Sequence, residues 1–140
     1  MPTRSASAVW KGNLKEGSGS VKTETGALDG AYSFPSRFQE GSGTNPEELL
    51  GASHAACYSM ALSNMLAEAG HTPDSVSTTA KVHLDMSDGP NVNKIELHTE
   101  GSVPGIDEAT FIEFAEKAKV GCPISKALKA VEISLDAKLV

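Results

Sequence analysis

A chain of 140 residues, 39% of them hydrophobic, suits one domain spanning 1–140, long enough to bury roughly 70% of its unfolded surface without disulfide or metal staples. Twelve Lys and Arg against eighteen Asp and Glu leave a net charge of -6. The charges are scattered, which offers no basic stripe to follow a phosphate backbone and excludes nucleic acid as an expected partner. No stretch approaches the ~18 continuous apolar residues of a membrane span, and Met1-Pro2-Thr3-Arg4-Ser5 lacks the apolar core of a secretory signal, so the expectation is a cytoplasmic protein with no membrane partner.

In chain order, Gly12, Gly17, Gly19, Gly26, Gly30, Gly41 and Gly43 punctuate residues 1–45 between short runs such as Ala8-Val9-Trp10 and Ser20-Val21-Lys22. That spacing predicts a meander of short strands. From Pro46 to Ala69 the apolar residues run from Leu49 and Leu50 through Cys57 and Met60 to Leu66 and cover most of a helical wheel. Thr44-x-x-Glu47 and Asn45-Pro46-x-Glu48 both resemble capping boxes, and Gly70 and Pro73 end the helix. At ~1.5 Å per residue it would be about 36 Å long, close to the width of a compact chain of this size, so a second subunit is expected to complete its burial.

Strands are predicted at Ser75–Leu84 and Val92–Thr99, with a turn at Ser87-Asp88-Gly89-Pro90-Asn91. Asp107 caps a helix carrying Phe111, Phe114, Ala115 and Ala118 and ending at Gly121. Pro123 fits the first position of a short helix through Leu128, which leaves Cys122 as its N-cap, and Val131 to Leu139 alternates as a final strand. Strands, long helix, hairpin, two helices and strand make an α+β fold.

The two cysteines form no Cys-x-x-Cys pair, and in a reducing cytosol a disulfide between them would be transient, catalytic or sensing. Cys57 lies among small apolar neighbours, where packing alone would explain it. At an N-cap, Cys122 would point its sulfur at free N–H groups that favour thiolate. As a pair they suggest a peroxidatic and a resolving thiol, although spacing leaves open whether they meet. Zinc is the competing use of sulfur, through His54-x-x-Cys57 with His71, His83, His98 or Cys122. Arg37, flanked by aromatics in Tyr32-Ser33-Phe34-Pro35-Ser36-Arg37-Phe38, calls for an acidic partner, and Glu47 could serve. Along a straight helix Glu47 lies ~15 Å from Cys57. Either the helix bends near Gly51, or Glu47 reaches the thiol through Arg37, or one of them comes from a second subunit.

Several separated strings resemble the OsmC/Ohr family, and within it the OsmC branch: Arg37-Phe38, Gly43-Thr44-Asn45-Pro46-Glu47-Glu48-Leu49-Leu50-Gly51-Ala52, His54-Ala55-Ala56-Cys57, Ser59-Met60-Ala61-Leu62, Val103-Pro104-Gly105-Ile106-Asp107 and Gly121-Cys122-Pro123-Ile124-Ser125. The likeness runs from Ala8-Val9-Trp10-Lys11-Gly12 to the final strand, with minor departures at Ser36 and Gln39-Glu40. It implies an intertwined homodimer with its active sites at the subunit interface, and a cysteine peroxidase for organic hydroperoxides with hydrogen peroxide as a poorer substrate. By the same resemblance Cys57 is the peroxidatic cysteine, Cys122 the resolving cysteine, and Arg37 with Glu47 the ion pair that activates Cys57. No metal or other cofactor is implied, and an external dithiol, of lipoyl or another type, would recycle the disulfide. Phe34, Phe38, Met60 and the Phe111 helix are candidates to line a pocket for an organic tail. The alternative class is a non-enzymatic dimeric stress-associated protein that binds an apolar ligand and keeps its cysteines as packing.

Overall fold

The computed structural model describes all 140 residues. They divide into two compact units, Met1–Leu49 and Leu50–Val140.

The first unit opens with β1 (Ala6–Lys11), β2 (Ser18–Thr23) and β3 (Asp29–Tyr32), an antiparallel meander in that order. Gly12 and Gly26 turn the chain with φ of +94° and +76°, a region that glycine enters without steric cost. Gly19 has a different role. Its register partners are Trp10 on β1 and Tyr32 on β3, and a Cβ there would run into both rings, whose centroids are 5.3 Å apart. The missing side chain lets two aromatics close over the middle strand.

A short helix that the glycine pattern did not predict, α1 (Phe34–Phe38), follows β3. Its cause is a reciprocal cap: Ser33 accepts from the N–H of Ser36 while the Ser36 hydroxyl accepts from the N–H of Ser33, and Pro35 supplies a helical φ in the first turn. The long helix α2 (Pro46–Glu68) then begins beside Asn45, whose side-chain oxygen accepts from the N–H of Glu48 at 2.7 Å. Of the two expected capping boxes, the Asn45 one forms at this N–H.

In the second unit, β4 (Ser75–Asp85) and β5 (Asn91–Ser102) form the expected hairpin, each longer than its sequence pattern suggested. Gly89 turns it with φ +81°. The helices α3 (Glu108–Gly121) and α4 (Pro123–Ala127) carry the chain back to β6 (Glu132–Leu139), which pairs parallel to β5. Such a parallel return needs a crossover of this length. The sheet order is β4-β5-β6.

The core joins three elements. Tyr58, Leu62 and Leu66 from α2 meet Ile95 and Leu97 from β5 and Phe111, Ala115 and Ala118 from α3, all without solvent exposure. Their spacings follow the helical and strand periods. Gly51 completes the buried stripe of α2, because a Cβ there would press against the Ala80 carbonyl and the Val82 side chain. The helix runs unbroken through Gly51. On its other faces Ala52, Ala56 and Ala67 are exposed and Met60 is 75% exposed. None of the helices is long and apolar enough to cross a membrane.

Candidate active site

The two cysteines meet inside the second unit. Cys57 sits half-buried on α2, one turn before the half-buried Ala61, while Cys122 occupies the joint between α3 and α4 with no exposure. Pro123 accounts for that joint: it pushes the preceding residue out of the helical region, and Cys122 has φ -57° and ψ 130°. Its N–H still closes the end of α3 on the Ala118 carbonyl at 3.0 Å.

Cys122 is the residue before α4, as expected, but its sulfur makes no cap to that helix. The thiol donates instead to the Cys57 sulfur, 3.0 Å away. Burial pushes the Cys57 thiol up from its ordinary range, and the hydrogen bond with Cys122 adds to this; the Ile124 N–H pulls the other way. In these surroundings Cys57 needs a further cation to become a ready thiolate.

His54 and Ser125 form a second contact beside the thiols. His54 lies three residues before Cys57, Ser125 three after Cys122, and the imidazole Nε2 is 2.7 Å from the Ser125 hydroxyl. His54 has no exposure, its Nδ1 has no partner, and burial lowers its pKa, so the ring is neutral. No group of three or more His, Cys, Asp or Glu side chains is arranged to hold a metal ion.

The first unit carries the ion pair. Arg37 on α1 grips Glu47 through Nε, 3.2 Å from both carboxylate oxygens, and through Nη2, 2.7 Å from Oε1. This fork geometry is a strong form of the interaction, with the Glu47 side chain 11% and the Arg37 side chain 33% exposed. The loop around it is tied down: the Ser36 hydroxyl donates to the Thr44 carbonyl at 2.7 Å, and the Asn45 amide donates to the Ser36 carbonyl at 3.0 Å. Glu47 engages Arg37, and α2 is continuous through Gly51. The expected Thr44–Glu47 box is displaced, since the Thr44 hydroxyl donates to Glu48 at 2.8 Å.

Beside Arg37, a cavity of about 170 Å³ is lined by Trp10, Leu14, Tyr32, Ser33, Phe34 and Phe38. Phe34 and Phe38 were expected there. Trp10, Leu14 and Tyr32 were not, because only the strand pairing through Gly19 gathers them. Met60 instead lines an open groove with Ser63, Ala67 and Val76, and Phe111 belongs to the core. The His54–Ser125 contact was also missed; its one sequence signal is the shared three-residue offset from the two cysteines.

An α+β chain with two thiols in contact and a locked Arg–Glu pair defines a class of thiol-bearing redox proteins, and comparison with known proteins makes the class specific. Residues 39–136 match the family model described as OsmC-like protein. The chain is 56% identical over 134 residues to peroxiredoxin OsmC of Escherichia coli, covering 94% of this chain and 93% of that one. It is 32% identical over 116 residues to an organic hydroperoxide resistance protein of Xanthomonas axonopodis pv. citri, covering 78% of each. The crystal structure of the organic hydroperoxide resistance protein OhrB of Bacillus subtilis superposes with a TM-score of 0.70 at 25% identity, over 97% of this chain and 98% of that one. The chain belongs to the OsmC family.

The neutral, buried His54 predicts a pH effect on stability. As pH falls through 6.5 the unfolded chain's imidazole takes up a proton that the folded one resists, so protonation favours unfolding. His54→Gln, which does not titrate, should therefore gain in urea midpoint relative to wild type between about pH 7.5 and pH 5; a constant difference between the two across that window would contradict the assignment.

Proposed function

We propose that this protein is a thiol peroxidase that reduces organic hydroperoxides, and hydrogen peroxide less well, to the corresponding alcohol or water. The carrying observation is the 3.0 Å approach of the Cys57 and Cys122 sulfurs, in a chain whose relatives are a peroxiredoxin and organic hydroperoxide resistance proteins.

In the first step the Cys57 thiolate attacks one peroxide oxygen, the O–O bond breaks, and the alkoxide leaves to take a proton and become the alcohol. Cys57 is left as sulfenic acid. Arg37 is assigned to stabilise the thiolate and the departing alkoxide, and Glu47 to fix the plane of its guanidinium. That assignment supplies the cation that the burial of Cys57 calls for. In the second step the Cys122 sulfur displaces the sulfenic oxygen as water and a Cys57–Cys122 disulfide forms. A dithiol, which we take to be of the lipoyl or a related type, returns both thiols by exchange while becoming a disulfide itself. The aromatic cavity beside Arg37 favours a hydroperoxide with an apolar tail. No step calls on a metal or organic cofactor.

On this reading residues 1–140 act as one functional domain. A cycle that ends in free thiols suits a reducing compartment, and we assign the protein to the cytoplasm. The exposed stripe of Ala52, Ala56, Met60 and Ala67 along α2 supports a homodimer, since an apolar face of this kind is ordinarily covered.

Treatment with one equivalent of cumene hydroperoxide should remove both free thiols and two hydrogens of mass, and a dithiol should restore them repeatedly. Cys57→Ser should consume no peroxide, and Cys122→Ser should turn over once and stop at an oxidised Cys57; unchanged wild-type thiols would return the cysteines to packing and favour ligand binding without catalysis. Arg37→Ala should move the alkylation profile of Cys57 about one pH unit or more to the alkaline side, because a thiolate without its cation forms later; an unmoved profile would remove Arg37 from the site. Light scattering should return about twice the 14.6 kDa chain mass, and a monomer would refute the dimer.

A further inference from the structure

We infer that His54 is a positioning residue for disulfide closure: through Ser125 it clamps α4 onto α2 and so holds Cys122 in register with Cys57. This rests on the peroxidase reading and adds a residue pair to it.

Two rungs join the same two segments. His54 and Cys57 stand one turn apart on α2, Ser125 and Cys122 one turn apart at the start of α4, and each residue faces its counterpart, at 2.7 Å for the polar rung and 3.0 Å between the sulfurs. With five residues α4 is too short to hold its own shape. Ile124 packs against the core, and no other side chain of α4 makes a hydrogen bond. Cys122 and Leu128, which flank α4, also pack against the core, so the polar rung is the one directed side-chain contact from α4 itself that sets the lateral placement of the segment.

The state of the ring supports a positional role over a filling one. An orphaned buried acceptor costs less than an orphaned buried N–H, so with Nδ1 unpartnered the proton sits on Nε2 and is donated to the Ser125 oxygen. A leucine would occupy the same space without leaving a polar nitrogen unsatisfied. Keeping histidine here preserves a directed contact at a cost in folding energy.

The contact bears on one chemical choice. Cys57–SOH with HS–Cys122 gives the disulfide and water, and the sulfurs must close from 3.0 Å to about 2.05 Å. The competing reaction is a second peroxide converting the sulfenic acid to sulfinic acid, with another alcohol released. A Cys122 held in register favours the first outcome.

The test measures this partition in the full-length protein. Across a series of cumene hydroperoxide concentrations, intact mass gives the ratio of disulfide to sulfinic acid, and rapid mixing gives the rates of the two steps. Ser125→Ala and His54→Leu should close the disulfide roughly fivefold more slowly, the effect of losing one net hydrogen bond, with a matching rise in sulfinic acid and a first step within about twofold of wild type. His54→Gln keeps an N–H donor and should restore most of the closure rate. If His54→Leu does not fold, Ser125→Ala, which removes one oxygen atom, carries the test alone. A wild-type partition in Ser125→Ala overturns the clamp, as does an equal slowing of both steps, which would mean general loosening. Failure of wild type to form any disulfide instead overturns the peroxidase reading itself.

Discussion

The arrangement of the thiols depends on the burial of one stripe of α2. Tyr58, Leu62 and Leu66 insert between β5 and α3 and have no solvent exposure. Each such residue contributes about 1.5–3 kcal/mol when fully buried, so together they fix the rotation of the helix about its axis. The Tyr58 hydroxyl donates to the Ala115 carbonyl at 2.9 Å, which pins the same helix to α3 by a directed bond. Once α2 is fixed, Cys57 must face the end of α3, where Pro123 has already broken the helix and set Cys122. The reactive contact follows from ordinary core packing plus one proline.

The element pattern was largely legible because it rests on local rules. Pro46 and Gly70 bound the long helix, Asp107 caps α3 by accepting from the Thr110 N–H at 2.8 Å, and the alternation of Val131 to Leu139 marks β6. What escaped was set by partners distant in sequence. The Ser33–Ser36 cap was visible as serines, but the glycines around it outweighed a helix of five residues. The parallel pairing of β6 with β5 is not encoded in alternation, which is the same for either direction. At the site, an N-cap position alone pointed Cys122 toward α4, whereas the presence of Cys57 turned its sulfur the other way. The Trp10–Tyr32 contact needs the register of three strands before it exists at all.

The ion pair shows a different kind of legibility. The aromatic run around Arg37 demands an acid, and Glu47 is the acid that answers. A helix-start carboxylate is ordinarily explained by the positive end of the helix. Here the guanidinium fork orients both oxygens, and the capping duty passes to Asn45, which serves the Glu48 N–H. Two adjacent glutamates thereby divide their work: Glu48 accepts from the Thr44 hydroxyl, and Glu47 is left free to hold arginine.

The tilted aromatic pair over Gly19 has a consequence for how the molecule is watched. The chain has one tryptophan, and it lies in the first unit with the Tyr32 ring centroid 5.3 Å away. Indole emission therefore samples the environment of the meander and of the cavity beside Arg37, with Tyr32 close enough to pass excitation to it. The second unit holds the other tyrosine, Tyr58, buried and hydrogen-bonded. Indole fluorescence thus follows the first unit through a chromophore placed by the native sequence, without any label, whereas phenol absorbance sums Tyr32 of the first unit and Tyr58 of the second.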